Sequence, residues 1–115
     1  MSGNRRRYLL LKIVSDEDFS EDDLTSSLRE VTKNLFGLVG LLRISPKIIR
    51  YDPSRREAIL RCSAEVANEL RSVVALLRQI SGRPVTAFVI CSSGTIAALI
   101  RATRKSEERS FLFQS

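Results

Sequence analysis

The 115-residue chain contains no histidine. That absence removes the side chain most often used as acid or base near neutral pH. Protein ribonucleases and hydrolases commonly rely on it, so carboxylates or lysine would have to serve instead. Cysteine is scarce: Cys62 and Cys91 stand alone, without a CxxC or a Cys/His grouping, and no acids gather near either one. No metal centre is expected, and both thiols read as reduced core residues within apolar strand-like runs. Long apolar runs are also missing, so no segment reaches the roughly 20 residues of a membrane helix. The opening MSGNRRRYLLLKIVSDE starts like a signal peptide. Lys12 interrupts its apolar run, however, acids end it, and no small-residue cleavage site follows, so a mature cytoplasmic N-terminus is expected. Glycine-rich nucleotide loops, P-loops and nucleophile elbows do not occur, and nothing in the residues argues for a protein active site.

What is present is charge of one sign. Nineteen basic residues against thirteen acids give a net charge of +6, which points to a polyanionic partner. The basic residues fall in groups: Arg5-Arg6-Arg7, Arg55-Arg56, and Arg101, Arg104 and Lys105 near the end. The acids Asp16, Glu17, Asp18, Glu21, Asp22 and Asp23 form a separate patch, so the molecule is polarised. Helix capping and solvation account for that acidic patch without any catalytic role.

The length suits one domain spanning residues 1–115, with a core of about 5–105 and a tail of 106–115. Arg7 to Ser15 is apolar at both parities, the pattern of a strand covered on two faces. Ser20 is placed to cap a helix whose third residue is Asp23; Leu24, Leu28, Val31 and Leu35 follow at helical spacing, and Gly37 reads as its stop. A hairpin is expected from a strand over 41–51, the turn Asp52-Pro53-Ser54-Arg55 and a return strand over 57–63. A second helix is expected over 64–81, a fourth strand over 84–91 and a short third helix over 95–105.

The order β-α-β-β-α-β-α fits a ferredoxin-like split βαβ sandwich of the α+β class. Its four-stranded antiparallel sheet would carry two helices on one face, with an extra C-terminal helix, and the first and third strands central. The face opposite those helices would then be unusually apolar. Tyr8, Leu10, Phe88 and Ile90 are its candidate contacts with a protein partner or the third helix.

Ser92, Ser93, Gly94 and Thr95 sit where a strand gives way to a helix, and two uses compete for them. Backbone amides there could face a phosphate, or a hydroxyl could simply cap the helix. The aromatic pair that stacks bases on sheets of this topology is missing, so RNA contact would run mainly through phosphates.

Four stretches taken in order carry a family resemblance: RRYLLLKIVSDE at 6–17, YDP at 51–53, AILRC at 58–62 and SGTI at 93–96. The chain resembles, over about residues 5–103, the small ribonuclease P protein subunits shared by archaea and eukaryotes, the archaeal component 2 family. The resemblance implies a ferredoxin-like fold and a non-catalytic place in the ribonucleoprotein that removes the 5′ leader from precursor tRNA. It implies that the RNA subunit performs the magnesium-dependent hydrolysis, and that the protein binds no cofactor of its own. It also implies a barrel-shaped protein partner, archaeal component 3, and self-association within a heterotetramer. Family members often carry a basic residue directly after Gly-Thr-Ile, where this chain has Ala97. Arg5, Arg6, Arg7, Arg55, Arg56, Arg101, Arg104 and Lys105 are accordingly the candidate RNA contacts, with Ser93, Gly94 and Thr95 secondary. A sheet-mediated protein adaptor, or a ligand-sensing domain on the same fold, is the alternative. The sensing domain would want an anion loop after the first strand, where Ser15-Asp16-Glu17-Asp18 would repel one.

Overall fold

The strand that is apolar at both parities lies inside the sheet. A computed structural model describes residues 5–103 of the chain. In it β1 (Arg6–Ser15) pairs antiparallel with β3 (Glu57–Ser63) on one side and β5 (Arg83–Ser93) on the other. Leu9, Leu11 and Ile13 bury one face of β1 completely, and Leu10 buries the other. Each such side chain contributes about 1.5–3 kcal/mol on burial. The strand order is β2-β3-β1-β5-β4, with β2 at Lys47–Asp52 and β4 at Gln79–Ile80. The α+β class and the central first and third strands agree with expectation, but the sheet has five strands and not four.

The fifth strand explains a misreading of the second helix. That helix, α2, covers only Ala67–Ala75, preceded by a 3-10 turn at Ala64–Val66, and does not run on to residue 81. Ser81 and Gly82 both have positive φ, 52° and 79°, which matches a two-residue hairpin turn twisted like its strands. It sets Gln79 opposite Pro84 and Ile80 opposite Arg83. Leu70, Val73, Leu77 and Ile80 all reach the core, so helical spacing persists in residues that have left the helix.

Helix α1 (Glu21–Ile44) starts as expected: Ser20 Oγ accepts from the Asp23 amide and Asp23 accepts from the Ser20 amide, both at 3.1 Å. These bonds hold the Asp23 carboxyl below its ordinary value. The carboxylate half of the cap is therefore at full strength at neutral pH and weakens as acid protonates Asp23, while the Ser20 hydroxyl half does not depend on that charge. The core stripe is Leu24, Leu28 and Thr32, whose hydroxyl donates to the Leu28 carbonyl; Leu35 is exposed. Gly37 does not end the helix. At φ 76° and ψ −178° it makes a kink, in a region only glycine occupies cheaply, and helix resumes to Ile44. Gly40 is required too, since a Cβ there would lie 2.3 Å from the Phe36 Cβ. Residues 41–44 are thus helical, and the strand expected over 41–51 begins only at Lys47, after Ser45 in the left-handed region and Pro46.

Helices α1 and α2 share one sheet face, where Leu24, Leu28, Leu70 and Val73 meet Leu9, Leu11, Leu60 and Val85. The third helix, α3, spans 96–103 of the described residues and lies on the opposite face. Leu99, 1% exposed, packs there on Leu10 and Ile59. Most of the apolar back of the sheet is therefore covered by the chain itself. Phe88 and Val14 stay exposed at one end of it.

Candidate nucleic-acid interface

The β1–β3 register sets Arg6 opposite Ser63, Arg7 opposite Cys62 and Tyr8 opposite Arg61. The β2–β3 register sets Lys47 opposite Arg61. On the other flank Tyr8 faces Ser93 and Leu9 faces Ser92. One end of the sheet thus collects the start of β1, the end of β3, the start of β2 and the end of β5. The side chains delivered there are Arg5, Arg6, Arg7, Lys47 and Arg61, with Arg43 from the last turn of α1 and Arg71 from α2. Two acids share this end, Glu65 and Glu69, and Glu69 pairs with Arg43 at 3.5 Å. Arg5, Arg6, Arg7, Lys47, Arg61 and Arg71 have no ion-pair partner among the described residues.

Two clefts open on this end. One, of about 370 Å³, is lined by Arg5, Arg6, Arg43, Lys47 and Arg61 together with Ile44, Ser45, Cys62 and Ser63. The other, of about 390 Å³, is lined by Arg5, Arg6, Arg7, Ala64 and Gly94. Arg5 and Arg6 form the ridge between them. A cleft walled by charge of one sign concentrates counter-ions, and guanidinium groups bind phosphate and carboxylate oxygens bidentately. Burial pushes the Cys62 thiol up, so the sulfur in the first cleft's wall stays protonated.

The loop after β5 divides its polar groups between two tasks. Thr95 Oγ1 accepts from the Ala98 amide at 3.1 Å and Ser93 Oγ accepts from the Thr95 amide at 3.4 Å. Those hydroxyls cap α3. Ser92, the first residue of that strand-to-helix run and not among the candidate RNA contacts, takes a different role: Arg7 Nη2 donates to its Oγ at 3.4 Å and Arg71 Nη2 at 2.5 Å.

Arg55 and Arg56 lie at the other end of the sheet, roughly 20 Å along β1 at about 3.3 Å per residue. Arg56 bonds the Ser15 carbonyl and pairs with Asp18 at 2.9 Å. Arg83 pairs with Glu17 at 3.0 Å and bonds the Asp18 carbonyl. The Asp52 carboxylate accepts from Ser54 and from the Arg55 amide, which shapes the turn and holds its own carboxyl below the usual value. These bonds fasten the hairpin turn to the acidic loop. Arg101 is exposed on α3, and Arg104 and Lys105 lie outside the described residues.

The expected protein contacts on the sheet are unevenly exposed. Leu10 is buried beneath Leu99, Tyr8 and Ile90 are half-buried, and Phe88 is open. The larger apolar surface is on α1 beyond the kink, where Leu38, Leu42 and Val39 are 62%, 73% and 78% exposed beside Leu35 and Phe36. The sequence signal was available: LFGLVGLL at 35–42 has no polar side chain to give it a wet face. Arg43, Lys47, Arg61 and Arg71 are isolated in the sequence: the strand registers bring Lys47 and Arg61 together, and helix packing adds Arg43 and Arg71. Among the described residues no helix is long and apolar enough to cross a membrane.

Comparison with known proteins identifies the family and the fold. The family model described as the Rpp14/Pop5 family matches residues 7–104. Ribonuclease P protein component 2 of Pyrococcus abyssi is 30% identical over 96 residues, covering 84% of this chain and 81% of that protein. The component 2 of Pyrococcus horikoshii is 29% identical over 98 residues, covering 85% and 82%. A chain in the cryo-EM structure of yeast ribonuclease MRP matches in fold, with a TM-score of 0.67 and 14% identity over 92% of this chain and 93% of that one.

Lys47 and Arg61 face each other directly across two strands, an arrangement that costs stability. Lys47→Thr keeps a good strand former and removes the repulsion, so chemical denaturation should show a gain of about 0.2–1 kcal/mol. A loss of stability in that variant would show that the two charges are not in each other's field.

Proposed function

The chain belongs to the Rpp14/Pop5 family, and from that membership we propose that it is a non-catalytic protein subunit of ribonuclease P. In this reading it binds the catalytic RNA in the cytoplasm and supports removal of the 5′ leader from precursor tRNA. The observation that carries the proposal is the cationic end of the sheet, where six basic side chains lack an ion-pair partner among the described residues.

The physical mechanism is charge neutralisation at fixed positions. A folded RNA brings phosphates together, and their repulsion must be offset by bound cations. Basic groups held on strands release condensed counter-ions when they meet phosphates, which favours binding entropically. They also supply at fixed points the positive charge that magnesium would otherwise provide diffusely. Magnesium used in hydrolysis belongs to the RNA in this account, and the protein's residues bind and position. The opposite end repels RNA, because Asp16, Glu17 and Asp18 lie there and the arginines beside them, Arg56 and Arg83, are already paired with Asp18 and Glu17. The molecule would therefore approach the RNA in one orientation.

Partners follow from the remaining surfaces. Archaeal component 3 is the protein expected to contact the open end of the sheet near Phe88, and precursor tRNA would be met only through the assembled enzyme. The apolar segment of α1 suits a second copy of this chain. It carries no charge over 35–42 to select a different partner, and a two-fold contact lets such a surface cover itself.

Precursor-tRNA cleavage at low magnesium, with and without this chain, tests the main proposal: its addition should raise the rate, and an unchanged rate would defeat it. RNA affinity should fall by roughly 0.7–0.9 log units per decade of salt for every phosphate engaged, and a flat response would remove the electrostatic mechanism. Self-association is tested separately by sedimentation of a Leu38→Asp, Leu42→Asp variant. It should sediment as a single copy while still binding RNA, whereas an unaltered mass would place the contact elsewhere.

A further inference from the structure

The two arginines at Ser92 form a constellation distinct from the general basic surface. Arg7 comes from β1 and Arg71 from α2, two elements far apart in sequence, and both donate to one neutral hydroxyl oxygen. Two guanidinium groups so placed repel each other, and neither has a carboxylate partner among the described residues. The acid two residues earlier on α2, Glu69, is taken by Arg43. A hydroxyl has two lone pairs and one proton. With both lone pairs engaged by arginines, the Ser92 proton is left to donate, and no described residue accepts it. Three donor groups therefore converge, and the one acceptor among them, Ser92 Oγ, carries no charge to offset the two guanidinium groups.

Arg7 links this place to the neighbouring 390 Å³ cleft: a Cβ on Gly94 would lie 3.9 Å from Arg7 Nη1, and Gly94 and Arg7 both line that cleft, whereas Ser92 and Arg71 do not. We infer that Arg7, Arg71 and Ser92 form a seat for one phosphodiester group of the bound RNA. The seat rests on the ribonuclease P reading for its ligand, while its geometry stands independently of that reading. A phosphate entering it accepts from two planar guanidinium forks and the hydroxyl, which relieves the repulsion between the arginines. It also explains the division of labour in the loop: Ser93 and Thr95 hold α3 in place, and Ser92 faces the anion.

Two measurements on the full chain separate the seat from the wider reading. In the first, inorganic phosphate is titrated against the labelled protein, with sodium chloride at matched ionic strength as control. The Ser92 and Gly94 amides should shift saturably in the wild type, and the affinity should drop at least tenfold in Arg71→Gln. No saturable shift would overturn the seat. The second measures the salt dependence of binding to ribonuclease P RNA for Arg7→Gln, Arg71→Gln and the double variant. Each single variant should lower the slope by roughly 0.7–0.9, and the double variant by no more than either alone, because both arginines hold one phosphate. A double variant that loses twice as much would overturn the shared seat. Saturable phosphate binding without RNA binding would overturn the RNA ligand and the ribonuclease P reading, while leaving the three-residue anion site in place. Arg71→Lys separates a fork from a point charge: it should retain the salt slope yet weaken phosphate binding, and full retention of affinity would contradict bidentate recognition.

Discussion

The fold depends on β1 being buried on both faces. Leu9, Leu11 and Ile13 commit one side to α1 and α2, and Leu10 commits the other to Leu99 of α3. A one-residue slip against either neighbour would exchange those sets and leave each facing the wrong cover. The register is therefore fixed by packing, and it fixes where charge appears. With Leu9 opposite Leu60 and Ser92, Arg7 must lie beside Cys62 and Arg6 beside Ser63. The cationic end is thus a geometric consequence of the core.

The separation of charge along the same strand is equally built in. At the far end of β1, Ser15 accepts from Arg56, and Asp18 and Glu17 bind Arg56 and Arg83. Exposed pairs of this kind add little stability, so their main effect is to place opposite charges together at that end. At the near end most basic groups have no such partner, and Lys47 opposes Arg61 directly. One end is electrostatically settled and the other is strained. Neither arrangement adds much stability, and the proposed anionic partner gives the unpaired charges a use.

Much of this was legible before any coordinates. The double-parity run at 7–15, the Ser20 box and the turn at 52–55 each rest on local chemistry, and each is found where expected. Errors arose where local signals were ambiguous. Ile80 keeps a helical spacing with Val73 and Leu77 although it lies in a strand, because one core accepts all three. Gly37 reads as a stop because glycine ends helices, yet here it bends one, and Gly40 closes the bend against Phe36. At the site, Arg5, Arg6 and Arg7 stand out as a run, whereas Arg71 and Ser92 are joined only by tertiary packing. No sequence spacing could announce their meeting. The strand-to-helix junction drew attention to the whole run Ser92 to Thr95, and the structure divides it: Ser93 and Thr95 serve the helix start, while Ser92 meets the arginines.

The central claim is that RNA meets the end of the sheet bearing Arg5 to Arg7 and not the end bearing Asp16 to Asp18. Mapping amide signals during titration with ribonuclease P RNA addresses it directly. The account predicts perturbation of residues 5–8, 61–64 and 92–94, with 16–19 and 54–57 unaffected. Perturbation centred on 54–57, with the Arg5 to Arg7 end silent, would contradict it.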